Sequence, residues 1–207
     1  MNRELVQWQI IDESCGCVFP WFTHPFLEVI KKWDLSNKRV LEYGGGRSTI
    51  WWAYKAKQIE CIETSGEWVN AIIEEAQEHG LSNIRIFTCP CREGETDIAS
   101  RMEYITVPRL HIDPFDIVVV DGILRYECMR FGIDLLKRVG GILIVDNWQQ
   151  DGFVCPACAD LVEPYKGNVY RQEDHTDHHG NPWQTAYWEI PADTQNTYDY
   201  YDRKYYI

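Results

Sequence analysis

The sequence predicts an α/β fold, a doubly wound and mostly parallel sheet with helices on both faces. Three observations predict it. Short apolar runs alternate with helical stretches from residue 39 to residue 147. Two of the runs, "VVV" (118–120) and "ILIV" (142–145), are continuously apolar, as central strands covered on both sides must be. The first run ends in a triple glycine, "VLEYGGGRST", where a strand passes into a helix.

The elements follow in order. Residues 1–38 read as an N-terminal helical cap segment: "PFLEVIKKW" (25–33) places Phe26, Val29, Ile30 and Trp33 at helical spacing, with Pro25 suited to the first turn. "RVLEY" (39–43) is the first strand, and "STIWWAYKA" (48–56) a helix capped by Ser48 or Thr49, with Trp51 and Trp52 as packing residues. "QIECIET" (58–64) is a second strand. The helix "EWVNAIIEEAQEHG" (67–80) closes at Gly80. "NIRIFT" (83–88), "FDIVVVDG" (115–122) and "GGILIVDN" (140–147) are the next strands, and "YECMRFGIDLLKRVGG" (126–141) is the helix between the last two. "NVYRQED" and "WQTAYWEI" form two more strands, joined by "HTDHHGNP", which reads as a hairpin loop rather than a metal site. The Tyr-rich tail, 191–207, is compatible with packing on the domain, packing on a partner subunit or disorder, which leaves a homo-oligomer open. No repeat or linker divides 39–190, which reads as one domain.

Composition narrows the function. The chain has 207 residues, 45% hydrophobic and 25% charged, and a net charge of -12, which opposes general affinity for nucleic acid or anionic membrane. No apolar run approaches the roughly 20 residues that span a bilayer. Glu4, Asp12 and Glu13 stand where a signal peptide needs an apolar core, so a cytoplasmic location is expected. Of the eight cysteines, Cys155 and Cys158 form one C-x-x-C, a weak zinc signal without a second pair. Plain thiols are expected, with disulfides disfavoured in a reducing compartment.

Ligands of open α/β sheets bind beyond the carboxyl ends of the strands, where "EYGGGRST" sits. The glycine spacing is wrong for a phosphate-binding Walker loop. Gly44 and Gly46 match part of a dinucleotide fingerprint, but Thr49 replaces its third glycine. Glu42 is informative, because a fixed carboxylate is unfavourable beside a pyrophosphate and favourable beside a cation.

In the order and spacing of "VLEYGGGRST", "IECIETSGEWV", "FDIVVVDG" and "GGILIVDN", the chain from Arg39 to Ile190 resembles the class I S-adenosylmethionine-dependent methyltransferases. The resemblance implies a Rossmann-like, seven-stranded sheet whose last strand is antiparallel, and a ligand with a sulfonium and an ammonium but no phosphate. It implies cofactor contacts from Glu42, Tyr43, Gly44, Gly45, Gly46, Ser48 and Thr49 in the loop. Glu63 and Thr64 end the second strand, with Glu63 accepting both ribose hydroxyls, and Asp121 ends the fourth. Adenine is implied near Thr88 to Cys91.

Methyl transfer needs the acceptor's proton removed by a base or through a metal. Asp121 and Asp146 are the candidate catalytic residues. With Asn147 they form a candidate site for magnesium or another divalent cation, if neighbouring strands bring their ends together. Similarity to the catechol- and caffeoyl-type O-methyltransferases implies this metal-assisted route; the alternative is that Asp146 and Asn147 only end a strand and Asp121 serves the cofactor alone. Arg125 reads as pairing with a neighbouring acid or binding substrate. Aromatic-rich segments, from Cys15 to His24, from Glu93 to His111 and after Asp146, are candidate walls for a small-molecule acceptor, with Trp148 the aromatic expected nearest it. Two other functions fit parts of the pattern: an NAD-dependent oxidoreductase, and a non-catalytic relative that binds cofactor or a partner.

Overall fold

The computed structural model describes residues 10–92, 94, 96–107, 113–149, 156–177 and 180–193. The elements run β1 (Ile11–Asp12), β2 (Cys17–Val18), α1 (His24–Ile30), β3 (Arg39–Tyr43), α2 (Arg47–Lys55), β4 (Gln58–Glu63), α3 (Gly66–Glu78), β5 (Ile84–Thr88), α4 (Ile98–Thr106), β6 (Ile117–Val120), α5 (Arg125–Leu136), β7 (Gly141–Val145), α6 (Pro156–Val162), β8 (Lys166–Thr176) and β9 (Pro182–Ile190). Seven strands form one sheet in the order β5-β4-β3-β6-β7-β9-β8, and β1 and β2 make a separate hairpin. The five strands from β5 to β7 are parallel. β9, last in the chain, enters antiparallel between β7 and β8, so β8 forms the edge. The expected doubly wound α/β sheet is the observed one, and its order reverses between β3 and β6.

Period-two alternation builds the layers. Val118 and Val120 face a core closed by α4, α5 and α6, and Ile117 and Val119 face the opposite core under α1 and α2. All four residues of β6 are buried, which accounts for its unbroken apolar run.

The N-terminal segment is part of this second core. Phe22, Phe26 and Ile30 share one cluster with Val40, Ile59, Val119 and Ile144. Asp12 pins the hairpin to α2, accepting from Trp51 Nε1 at 2.9 Å and pairing with Lys55 Nζ at 2.8 Å. Burial pushes its carboxyl up, but hydrogen bonds from Lys55, Ser14 and Trp51 outweigh that and hold it well below the usual range.

Several local features differ from expectation. Cys15 and Cys17 are joined by a disulfide, because the hairpin turn brings their Cα atoms to 5.4 Å. Cys61, Cys89 and Cys128 are free thiols, and all three are buried, as are Cys91 and Cys158. Cys155, His178, His179 and the tail beyond Asp193 lie outside the described residues. Helices α4 and α6 and the β1–β2 hairpin are additional to the elements read from sequence. In α4, Ile98 and Met102 are exposed while Tyr104 and Ile105 are buried, so its apolar residues do not make a single inward stripe. Among the described residues no helix is long and apolar enough to cross a membrane.

Because Phe26 is fully buried against Trp33, Tyr170 and Tyr187, Phe26→Ala is expected to destabilise the whole domain by about 3–5 kcal/mol. Urea unfolding followed by fluorescence would show one shifted transition. A separate early transition would instead make the N-terminal segment an independent unit.

Candidate active site

The glycine loop follows β3 at the reversal of strand order. Gly44 has φ +87°, and a Cβ there would stand 2.6 Å from the Gly122 backbone after β6. Both the conformation and the contact require glycine. A Cβ on Gly45 would stand 2.3 Å from Cys61 Sγ, so the loop lies directly on β4. Gly46 N–H donates to Thr49 Oγ1 at 3.1 Å, and Thr49 Oγ1 donates to Glu42 Oε2 at 2.5 Å. Thr49 is thus an internal clasp of the loop.

Glu63, at the end of β4, is turned onto this loop. Its Oε2 accepts the Gly45 N–H at 2.7 Å, and its Oε1 accepts the N–H groups of Thr64 and Ser65, each at 2.7 Å. Beside it opens a cleft of about 540 Å³, lined on one side by Gly44, Gly45, Glu63 and Thr64 and on the other by Tyr104, Asp121 and Arg125. A cleft at the switch point of a doubly wound sheet is where such folds hold ligands.

Glu42 lies under the loop, fully buried, and its Oε1 has no hydrogen-bond partner among the described residues. Burial pushes its carboxyl up to about 8, against the hydrogen bonds of Thr49 and Ser48, and the charges of Asp121 and Glu63 add to the rise. The site is therefore a pocket that crowds more carboxyl groups together than burial lets ionise at once.

Arg125, the first residue of α5 and only 8% exposed, holds the ends of β6 and β7. Its Nη1 donates to the carbonyls of Asp146 and Val120. Its Nη2 donates to the Asp121 carbonyl at 2.8 Å and approaches Asp121 Oδ1 at 3.3 Å and Asn147 Oδ1 at 3.4 Å. Asp146 accepts from Thr185 Oγ1 at 2.5 Å. Burial first, then the charge of Asp121, holds Asp146 well above the usual carboxylate range, against Thr185 and Arg125. Burial raises Asp121 as well, opposed by Arg125.

This arrangement corrects the candidate metal centre. Asp121, Asp146 and Asn147 do meet at the adjoining strand ends, but a guanidinium stands between Asp121 and Asn147, and Asp146 is engaged by Thr185. A hard cation would have to displace Arg125, so the donor set does not fit a magnesium cage. Among the described residues no group of three or more His, Cys, Asp or Glu converges on a cation position.

Of the residues singled out for the cofactor, Gly44, Gly45, Glu63, Thr64 and Asp121 line the cleft. Tyr43 does not: its ring is fully buried and its hydroxyl donates to the Ile105 carbonyl at 2.8 Å, because residue alternation turns it into the α4–α5 layer. Glu42 and Thr49 are buried beneath the loop, and Gly46 and Ser48, partly exposed, are outside the lining. Cys89 and Cys91 belong to the core rather than the cleft. Asp146 and Asn147 line an adjoining cavity of about 400 Å³ with Trp21 and Trp183. Trp148 packs on Trp188 at 4.7 Å instead, since Asn147, at φ +50°, redirects the chain and the Trp148 N–H is drawn to the Gln184 carbonyl at 2.7 Å. Tyr104, Trp68 and Gln149 are site residues that sequence reasoning did not single out; no local pattern marks them.

This architecture is the Rossmann-like methyltransferase fold. Among solved structures it superposes on a methyltransferase-like protein from Silicibacter pomeroyi with a TM-score of 0.59, at 18% identity over 84% of this chain and 90% of that one. The precorrin 8w decarboxylase of Methanobacterium thermoautotrophicum gives 0.55 at 17% identity, over 88% and 96%. TYW2 of M. jannaschii, solved in complex with AdoMet, gives 0.53 at 14% identity, over 87% and 84%. At these identities the likeness is one of fold. No family model matches the chain, and no curated protein matches it.

The buried acid predicts an inverted pH dependence of stability. Between its ordinary value of 4.5 and its folded value of about 8, Glu42 is ionised in the unfolded chain and protonated in the folded one. The folded state then binds the extra proton, so stability falls as pH rises through that window and levels off above it. The melting temperature should fall from pH 5 to pH 8, and Glu42→Gln should fall less. Parallel slopes in differential scanning fluorimetry would show that Glu42 is ionised in the fold.

Proposed function

We propose that this chain is an S-adenosylmethionine-dependent methyltransferase that transfers a methyl group to a hydroxyl of a small molecule. The observation that carries the reading is the charge of the cleft. Glu63 and Asp121 line the cleft, Glu42 lies under its loop and Arg125 is paired with Asp121, a carboxyl-rich environment that favours a sulfonium and an ammonium over the pyrophosphate of NAD. The chemistry of the residues fits the cofactor. Glu63 is fixed by three backbone N–H groups, which leave its Oε2 a lone pair to accept one ribose hydroxyl. The unpartnered Oε1 of Glu42 favours a cation above the loop.

When bound, the cofactor supplies an electrophilic methyl group on sulfur. The chain supplies position and a proton acceptor. The acceptor hydroxyl stands by Asp146, whose raised basicity suits it to take that proton as the oxygen turns nucleophilic. Thr185 fixes one carboxylate oxygen, and Arg125 holds the backbone of Asp146 while offsetting the charge of Asp121. Proximity contributes the remainder of the rate. The net charge of -12 supports a small-molecule acceptor over nucleic acid, and the fold's acidic loop supports a methyl donor over a hydride carrier.

Isothermal calorimetry tests the cofactor: S-adenosylhomocysteine should bind, NAD should not, and Glu63→Ala should weaken the former by about tenfold or more, the loss of hydrogen bonds to a charged group. NAD binding in its place would end the methyltransferase reading. With any hydroxyl acceptor that turns over, Asp146→Asn should lower kcat about 100-fold and leave S-adenosylhomocysteine affinity nearly unchanged. An equal loss of both would assign Asp146 to cofactor binding.

A further inference from the structure

Three cavities run in series across the strand ends. The cofactor cleft shares Asp121 and Asn147 with the adjoining cavity. That cavity shares Trp21 and Trp183 with an apolar chamber of about 270 Å³ under Phe19, Phe22 and Leu27. The middle cavity is therefore bounded by the methyl-transfer position at one end and an apolar wall at the other.

Its lining selects chemistry. Asp121, Asp146 and Asp177 all border it and no lysine or arginine is among its described lining residues, so an acceptor carrying a carboxylate or phosphate finds no cation to pair with. The indoles of Trp21 and Trp183 offer flat apolar faces suited to an aromatic ring. Gln149 adds one directional group. It is 1% exposed; its Oε1 accepts the Gln184 N–H at 3.2 Å, and its Nε2 has no hydrogen-bond partner among the described residues. The orientation of the amide is fixed by this bond, because the reverse assignment would set two donors against each other. A buried donor left unpaired in a cavity wall is a position for an acceptor atom.

We propose that the middle cavity takes a neutral hydroxyaromatic compound bearing a carbonyl, with its ring against Trp21 and Trp183 and its carbonyl oxygen accepting from Gln149 Nε2. Its hydroxyl is placed toward Asp146, a placement that rests on the methyltransferase reading; the recognition by Gln149 does not. Gln149 is then a specificity-determining residue, discriminating through the cost of leaving its donor unpaired.

The experiment titrates meta- and para-hydroxyacetophenone, the matching hydroxybenzoates, ethylphenols and hydroxybenzylamines into the full chain, with and without saturating S-adenosylhomocysteine. At least one ketone should bind about tenfold more tightly than its benzoate. Gln149→Glu keeps the acceptor for Gln184 and removes the donor. It should weaken the ketone about tenfold, leave the ethylphenol within about twofold and strengthen the hydroxybenzylamine. A merely structural glutamine would weaken ketone and ethylphenol together, which would overturn the assignment. So would equal binding of ketone and benzoate, an unchanged ketone affinity in the variant, or no hydroxyaromatic binding at millimolar concentration. Ketone binding that depends on Gln149 while S-adenosylhomocysteine fails to bind would keep this recognition and remove the methyltransferase reading.

Discussion

The site depends on one buried guanidinium. Parallel strands end with their carbonyl groups aimed the same way, and β6 and β7 add the side chains of Asp121, Asp146 and Asn147 at that end. Arg125 meets three of these carbonyls and two of the side chains with a single planar fork. A lysine could not, since its point charge lacks the paired geometry. A buried arginine is tolerable only when its donors are matched, and here the acceptors are the strand ends themselves. The preceding Leu124, at φ +50°, is held in a left-handed conformation that non-glycine residues seldom adopt. Its strain is sustained by the bonds Arg125 makes one residue later.

Around that cation the cleft crowds several carboxyl groups. Glu42 gives up its ionisation at ordinary pH, while Glu63 is held by backbone N–H groups. Glu42 shows what burial does to a carboxylate with too few donors: it takes a proton. A ligand that brings positive charge relieves Glu42 and leaves Glu63 undisturbed, which is why the geometry favours a cationic cofactor.

The frame of the fold was legible in the sequence because its signals are local. The apolar runs at 117–120 and 142–145, the glycines before α2 and the acids after each strand report conformation and burial within a few residues. Glu63 and Asp121 were readable for the same reason, each closing a strand beside the loop. What could not be read depends on contacts between distant segments. Arg125 matches its acceptors only because β7 lies beside β6, and the indoles that border the second cavity come from Trp21 and Trp183, far apart in the chain. Tyr43 sits within the glycine motif, yet alternation sends its ring away from the ligand side. The hairpin at β1–β2 has only two residues per strand, below the length at which periodicity can be seen.

Thr185 connects the N-terminal segment to the strand ends. Its hydroxyl accepts the Thr23 N–H at 2.9 Å and so directs its one proton to Asp146 Oδ1 at 2.5 Å. The segment that precedes the sheet is therefore wired to the acid at the end of β7 through a single oxygen atom with no freedom to turn elsewhere. Exchanging this segment for another would change more than the shape of the cavities it helps to line. It would also reset the basicity of the acid that borders them, so the shape of the cavities and the proton affinity of one of their walls are set by the same hydroxyl.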